Sequence, residues 1–595
     1  MTKNSQYQQT RWTLEALFPA ADSPAVDQAV QELEAATSYL EALRPQLSPQ
    51  ISGEAFAQAV QKIETFTVLI SRLGSYGQLW FTEDTQNQAA LAMMGRMEQL
   101  LTDLNNRILF FRLWWRSLDD AAAQRLLDYT GDARYSFEQD RLFKDYTLSE
   151  VEEQIINIKD VNGVNALTTL YDMITNKFVF NFNVDGETKQ LTRSELMTYV
   201  RDPRPEMRAA AYQELYRVFG QEEAVLAQIY IHTVRDWANE NIKLRGISAP
   251  ISVRNLANDI PDSVVETLLD VCAEQAPVFH RYFKLKAGWL NSPTDRLRRY
   301  DLYAPLNQSH SQKFAYSDAV DLVLDSLHAF SPLMADQAHR VFADKHIDSE
   351  IRPGKRGGAF CAGILPGLTP WVLLNYTGDP RDVATLAHEL GHAIHALMAG
   401  DHSVLTYHSA LPLAETASVF SEMLLTDRLL AEESSPEVRR DLLVEAIDDA
   451  YATVLRQAYF VMFERDAHRL IAEGSTTDQL NQLYLANLQQ QFGDSLDISD
   501  DFRHEWISIP HIYHTPFYCY AYSFGQLLSL SLYQQYKVQG QAFQPVLHKI
   551  LAYGGSASPN HILTEVGIDM ADPNFWRGGF KFVDGMIDEL DTLQT

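Results

Sequence analysis

The amino-acid sequence predicts a mainly α-helical protein with a small β-sheet. Apolar residues recur at three- and four-residue steps among Glu, Gln and Ala, whereas strand-like alternation is confined to short segments. No low-complexity tract or internal repeat interrupts this pattern. The early helices are therefore expected at 25–43, 53–73 and 86–118.

Later elements follow from local start and stop signals. Capping-box spacing at 149–152 and again at 192–195 predicts the start of two further helices. Between them, 178–184 alternates like a strand and leads into Asp185-Gly186, which is a hairpin signal. Long helices are then expected over 207–244 and 261–290.

The length of the chain predicts more than one domain. A chain of 595 residues is too long for one simple core, so we expect at least two lobes. The proline-rich junction at 202–205 is the expected boundary. It divides the chain into an N-terminal helical domain, 1–200, and a second domain, 201–595.

Charge and cysteine content restrict the partners and the compartment. A net charge of −29 argues against nucleic acid as a partner, because a polyanion would be repelled. The three cysteines are far apart and odd in number, which indicates a reducing compartment. The most apolar stretch, 108–115, is too short to span a bilayer, and the first ten residues do not resemble a signal peptide. We therefore expect no membrane partner and a cytoplasmic location.

The most informative motif is His388-Glu389-x-x-His392. On a helix, residues four apart lie on the same face, so the two imidazoles can bind one Zn²⁺ while Glu389 reaches a metal-bound water. This arrangement is typical of metal-assisted hydrolysis, in which the carboxylate takes a proton from the water. The alternative is a pair of core histidines satisfied by hydrogen bonds.

The surroundings of the motif favour the metal site. Asp379, Pro380 and Asp382 provide an N-cap, a first-turn proline and a first-turn acid. An apolar stripe at helical spacing follows, and Gly400 is a suitable stop. The motif is therefore expected in the middle of a largely buried helix.

A catalytic zinc site needs a third protein ligand. The better candidate is Glu415, on a helix predicted at 411–430, and Glu422 lies seven residues later on the same face. Glu422 would then orient a ligand histidine, although either glutamate could instead face solvent. His395 lies one turn too far along the first helix, so a packing or orienting role suits it better than ligation.

Four blocks of the sequence are distinctive as a set, namely Lys355–Phe360, Leu386–His395, Ala414–Glu422 and Pro510–Gly525. Together they resemble the oligoendopeptidase F branch of the thimet oligopeptidase family of zinc metallopeptidases. The resemblance extends over nearly the whole chain, in the family's order, and includes the N-terminal Trp12-x-Leu14.

The resemblance implies an elongated, two-lobed helical metallopeptidase with a deep substrate channel between the lobes. It implies an N-terminal oligoendopeptidase F-type domain, a catalytic domain, and one Zn²⁺ per chain held by His388, His392 and Glu415. Glu389 would be general base and proton shuttle in the hydrolysis of internal bonds of oligopeptides. No oligomer is implied.

The resemblance also assigns roles outside the metal motif. His511, Tyr518 and Tyr522 match the residues that stabilise the oxyanion, a task suited to phenol and imidazole donors. An aromatic packing cluster is the alternative interpretation of these residues.

The glycine-rich segment 352–369 is either a simple turn or a loop whose backbone approaches a ligand. We expect the following strand, 371–376, to pair with an extended substrate backbone. The residues expected to bind substrate are Gly358, Ala359, Phe360 and Asn375.

Two rival functions remain at this stage. A zinc carboxypeptidase or dipeptidase could use a similar helical scaffold, and capping of the substrate's C-terminus would distinguish it. A non-catalytic peptide-binding protein would be expected to lack Glu389 or a metal ligand, and the sequence retains all of them.

Overall fold

The computed structural model describes residues 7–306 and 313–593, and it is mainly helical, as predicted. No helix among the described residues is long and apolar enough to cross a membrane. The helices are α1 (Pro24–Leu43), α2 (Gly53–Glu83), α3 (Gln88–Ser117), α4 (Asp120–Leu127), α5 (Arg134–Arg141), α6 (Glu150–Asn162), α7 (Val164–Thr175), α8 (Arg193–Thr198), α9 (Pro205–Gln221), α10 (Glu223–Trp237), α11 (Ser252–Asn258), α12 (Asp262–Trp289), α13 (Tyr316–Phe330), α14 (Pro332–Ala343), α15 (Pro380–Met398), α16 (Leu411–Ala414), α17 (Thr416–Glu432), α18 (Pro436–Ala450), α19 (Arg456–Ala472), α20 (Thr477–Phe492), α21 (His511–His514), α22 (Tyr520–Gln539), α23 (Gln544–Ala552), α24 (Pro559–Thr564) and α25 (Pro573–Thr592).

The β-structure is confined to small sheets. The predicted hairpin forms an antiparallel pair of β1 and β2, β3 pairs with β7 in parallel, and a three-stranded sheet has the order β4-β6-β5. In that sheet β6 is parallel to β4 and antiparallel to β5. The strands are β1 (Phe180–Val184), β2 (Glu187–Leu191), β3 (Leu297–Arg298), β4 (Ile347–Asp348), β5 (Phe360–Ala362), β6 (Trp371–Leu373) and β7 (Leu496–Asp497).

Most predicted helices form close to their expected bounds. The capping box at 192–195 is present, with the Thr192 hydroxyl accepting from the Glu195 N–H and the Glu195 carboxylate accepting from the Thr192 N–H. The segment 207–244 differs, because it is divided at Glu222 into α9 and α10 and ends in a π-helical turn, Ala238–Leu244. Long apolar periodicity therefore located the helices better than it located their interruptions.

The chain folds into two compact units that each combine several stretches of sequence. Unit 1 contains the described residues within Met1–Glu150, Ser311–Ala431 and Gln535–Asp569. Unit 2 contains those within Val151–His310, Glu432–Gln534 and Met570–Thr595. The sequence domains 1–200 and 201–595 remain a prediction, since a single boundary along the chain is a different kind of division.

In unit 1 the three-stranded sheet lies between two sets of helices. Trp371 and Leu373 of β6 are fully buried in a cluster with Leu73 and Tyr76 of α2 and with Trp12. On the other side, α15 packs against both β5 and β6. The sheet thus has one face toward the N-terminal helices and one toward the helix that carries the histidine motif.

The strand order corrects one expectation. Residues 371–373 form the central strand β6, whose backbone is hydrogen-bonded to β4 on one side and to β5 on the other. The expectation that this strand pairs with a substrate is therefore wrong, because a central strand has no free edge to offer. The edge beside α15 belongs to β5.

Candidate metal centre

Helix α15 begins where the sequence signals placed it. The Asp379 side chain accepts from the Asp382 N–H and the Asp382 side chain accepts from the Asp379 N–H, with Pro380 as the first helical residue. Because the helix starts here, His388 and His392 fall near its middle, one turn apart on one face.

Three potential ligand atoms meet in unit 1. Nε2 of His388 and Nε2 of His392 are 3.2 Å apart. Each of these nitrogens lies 3.4 Å from Oε2 of Glu415. These residues thus form a compact triangle of two imidazole nitrogens and one carboxylate oxygen.

The dimensions of this triangle fit zinc. Ligand atoms held about 2.0–2.1 Å from a tetrahedral Zn²⁺ lie about 3.3–3.4 Å from one another. The separations of 3.2 and 3.4 Å match that spacing without any rearrangement. Three protein ligands, two His and one Glu, are also a donor set that catalytic zinc sites use.

Glu415 reaches the histidines because the predicted helix 411–430 is interrupted. The chain forms α16, turns at Glu415 and continues as α17. The Ser418 hydroxyl donates to Oε2 of Glu415 at 2.8 Å. Burial raises the pKa of Glu415, but the hydrogen bond and charge of His392, together with His388 and Ser418, outweigh burial and lower the pKa to about 2.

Glu422 contacts the other side of a predicted ligand. Its Oε1 is hydrogen-bonded to Nδ1 of His388. Burial lowers the pKa of His388, and the adjacent Glu422, with Glu415 and Glu389, raises it more strongly, to about 9. Because Nδ1–H donates to Glu422, Nε2 of His388 is the nitrogen that presents its lone pair to the triangle once it has lost its proton.

Glu389 and His395 are both buried on α15, at 6% exposure each. Burial raises the pKa of Glu389, which makes its carboxylate a stronger base than an exposed glutamate. Burial, together with the charge of His392, lowers the pKa of His395 to about 4, so this imidazole is neutral at pH 7. His395 does not belong to the triangle of ligand atoms formed by the described residues.

A cavity of about 390 Å³ in unit 1 opens onto these groups. Its wall includes predicted residues, namely the α15 motif and Ala359 and Phe360 of the glycine-rich segment. Sequence analysis missed Cys361, Tyr407 and His408, which also line it. Cys361 could have been found as the neighbour of Phe360, whereas no motif marked the other two.

The glycine-rich segment is anchored rather than free. The Lys355 ammonium is fully buried, pairs with Asp348 Oδ1 at 2.7 Å and donates to the Glu350 carbonyl at 2.8 Å. The Asn375 amide donates to the carbonyls of Arg356 at 3.0 Å and Gly358 at 2.8 Å. Asn375 therefore fixes the loop that precedes β5.

His511, Tyr518 and Tyr522 lie together in unit 2. The His511 and Tyr518 rings are stacked with their centroids 6.3 Å apart, and Tyr522 meets each of them edge to face, at 5.8 and 5.1 Å. Burial lowers the pKa of His511, and the nearby positive charge of Arg456 lowers it further, by a smaller amount. The cluster thus brings two phenol groups and one imidazole together.

A buried carboxyl group holds the turn that precedes Tyr518. Phe517 has a left-handed backbone with φ 58°, which is unfavourable for a residue with a bulky side chain. Its N–H donates to Oε1 of Glu464 at 2.9 Å, and Glu464 has no exposed surface. Burial raises the pKa of Glu464 to about 8, against smaller opposing effects of this hydrogen bond and of Arg254.

We predict that Glu464→Gln changes how stability depends on pH. Between the unfolded pKa of about 4.5 and the folded pKa of about 8, the folded wild type binds more protons, so its free energy of unfolding falls as pH rises. The amide does not titrate. The stability of the variant relative to wild type should therefore rise by up to about 1.4 kcal/mol per pH unit in this window. Denaturant unfolding at pH 5.5, 7 and 8.5 measures this, and a constant difference would contradict it.

Two imidazoles and a carboxylate around one point, with a buried glutamate beside them, are an arrangement suited to metal-assisted hydrolysis. The chain belongs to peptidase family M3, whose model matches residues 197–582. It is therefore a peptidase, and the family expected from the sequence motifs is confirmed.

Comparisons with individual proteins agree with this family. The chain is 30% identical over 429 residues to the chromosomal oligoendopeptidase F of Lactococcus lactis subsp. cremoris, covering 71% of this chain and 70% of that one. It is 26% identical over 596 residues to oligopeptidase PepF of Bacillus subtilis (strain 168), covering 98% and 87%. A crystal structure of a Chlamydophila abortus protein matches with a TM-score of 0.87 at 23% identity over 99% of both chains, which shows a shared fold.

Proposed function

We propose that the protein is a zinc-dependent endopeptidase that hydrolyses internal bonds of oligopeptides. One Zn²⁺ per chain would be held by His388, His392 and Glu415. The triangle of ligand atoms with separations of 3.2 and 3.4 Å carries this proposal. When bound, zinc supplies a Lewis acid that polarises the peptide carbonyl and lowers the pKa of water. The names of the relatives, which include oligopeptidase and oligoendopeptidase, support oligopeptides as the substrates.

Glu389 carries the proton in this proposal. Its carboxylate accepts a proton from the attacking water and then gives it to the nitrogen of the departing amine. Its burial beside the two histidines supports the role, because a raised pKa suits a group that must both accept and release a proton near neutral pH.

We further propose that His511, Tyr518 and Tyr522 donate hydrogen bonds to the carbonyl oxygen as it becomes an oxyanion. Their match to the family motif supports this role, and their grouping places two phenol donors beside an imidazole. Replacement of a Tyr by Phe removes the hydroxyl alone, so it separates hydrogen bonding from packing.

The peptide backbone would pair with the edge of β5. This strand is bonded to β6 on one side, and its residues Phe360 and Cys361 line the cavity. Edge strands bind extended peptides through main-chain hydrogen bonds.

A cytoplasmic location is supported by the cysteines Cys272, Cys361 and Cys519, which form no disulfide.

Metal analysis and cleavage mapping test this function together. We expect about one zinc per chain, loss of hydrolysis after chelation, and recovery when Zn²⁺ is restored. Peptides of increasing length, each with an amidated C-terminus, should be cut at internal bonds. Dependence on a free C-terminal carboxylate would instead identify a carboxypeptidase, and retained turnover without metal would reject the proposal.

We predict that Glu422→Gln weakens zinc binding by about 10- to 100-fold, the usual effect of removing a carboxylate that orients a ligand histidine. The amide is neutral, so it no longer favours the Nδ1–H form of His388. Competition with a chelator of known affinity measures the change. Glu98→Gln, an exposed glutamate on α3, is the control and should bind zinc like the wild type.

A further inference from the structure

Unit 1 contains a second cavity next to the one that holds the histidine motif. It has a volume of about 400 Å³ and is lined by α2 residues, including Ser75 and Gln78, and by the segment around β5. Ala359 and Phe360 line both cavities. The two cavities therefore adjoin along β5.

Beyond the residues that they share, the two cavities extend to opposite sides of β5. Cys361 lines the cavity that contains the histidine motif, whereas its neighbour Ala362 lines the second cavity. Successive residues of a strand point to opposite faces, and so would those of a peptide added to the free edge of β5. One side chain of such a peptide would point toward α15, and the next toward α2 and the second cavity.

Arg356 contributes a positive charge to the lining of the second cavity. Its backbone is fixed, since its N–H donates to the Thr82 carbonyl at 3.0 Å and its carbonyl accepts from Asn375 at 3.0 Å. Its guanidinium carbon is 5.7 Å from the centroid of the Phe360 ring, and the side chain is exposed. Among the described residues, no carboxylate forms an ion pair with Arg356, and the other lining residues of the cavity are uncharged.

We propose that the second cavity is a substrate subsite in which Arg356 binds a carboxylate of the peptide. This rests on the proposed endopeptidase function and on pairing of the peptide with β5. A guanidinium whose carbon lies 5.7 Å from the centroid of an aromatic ring, and which forms no ion pair among the described residues, is suited to bind an anionic group. The carboxylate could belong to an acidic side chain or to the peptide's C-terminus.

Matched quenched peptides test this proposal. A series that places Glu or Gln at each position in turn should show, at one position, a preference for Glu of about fivefold in kcat/KM, the size expected for a partly exposed ion pair. Arg356→Gln should abolish this preference, Arg356→Glu should reverse it so that Gln is preferred over Glu, and added salt should reduce it. A second series without acidic side chains, free or amidated at the C-terminus, identifies the source of the carboxylate.

The control is Arg96→Gln, which removes an exposed positive charge from α3 of the same unit and should leave every preference unchanged. Binding of the labelled Glu and Gln peptides to the Glu389→Gln protein, with and without Arg356→Gln, repeats the comparison without turnover. If the Glu preference is absent, or equal with and without Arg356, the subsite is wrong. If wild type binds but cleaves none of the peptides, the proposed function is wrong and the binding comparison still decides the subsite.

Discussion

Replacement of Glu389 by Gln should reduce peptide hydrolysis by at least about a thousandfold while zinc stays bound. The amide has nearly the shape of the carboxylate, so it can occupy the same buried position on α15, but it cannot accept a proton from water. The metal triangle does not include Glu389, which is why its ligands should be unaffected. Rates on an internally quenched peptide and zinc content per chain measure the two expectations.

The same variant distinguishes two explanations for a loss of hydrolysis. If the role of Glu389 were structural, metal content and peptide binding would fall together with the rate. If it carries the proton, a labelled peptide should still bind while turnover disappears. Turnover at the wild-type rate would reject the mechanism and leave the metal site without a general base.

The parts of the fold that could be predicted are those specified by local sequence. Helices α1, α3, α12 and α15 match their expected ranges because each has an apolar stripe with start signals nearby. The hairpin of β1 and β2 matches because Asp185 and Gly186 both adopt positive φ, as that turn requires. These features depend on contacts between residues close in sequence.

The order of strands around β6 depends on distant residues and could not be predicted in this way. Strands β4, β5 and β6 have two or three residues each, too few for alternation to be visible. The anchors of the loop before β5, such as the contact of Arg356 with Thr82, join segments more than 250 residues apart. Sequence patterns therefore located the segment that lines the cavity, but not the strand that offers an edge.

In the candidate metal site, too, local sequence predicts one part of the arrangement and not the other. The spacing of His388 and His392 follows from the helix itself, so their proximity could be predicted. The position of Glu415 required the turn between α16 and α17, which apolar periodicity across 411–430 did not reveal. A residue between the histidines, Gly391, has an importance that the motif alone does not indicate.

We predict that Gly391→Ala destroys the metal centre. A Cβ at position 391 would lie 2.5 Å from Cα of Ser418 and 2.6 Å from the Ala417 carbonyl oxygen. These are backbone atoms of α17, so they cannot rotate aside, and α15 and α17 must separate. Because His388 and His392 lie on α15 and Glu415 directly precedes α17, separation pulls the triangle apart. We expect at least about a hundredfold loss of activity and a cost of about 1–3 kcal/mol in stability from overpacking.

Helix propensity alone predicts the opposite effect of this substitution on stability. Alanine is favoured over glycine in a helix interior by about 0.5–1 kcal/mol, so Gly391→Ala would stabilise α15 in isolation. Gly95→Ala on α3 is the matched control, because no described atom lies within 4 Å of the position that its new methyl group would take, and it should raise the melting temperature slightly. Zinc content, activity and melting temperature of both variants decide between packing and propensity. A Gly391→Ala protein that binds zinc as tightly as wild type would show that α15 and α17 can part without moving Glu415 away from the histidines.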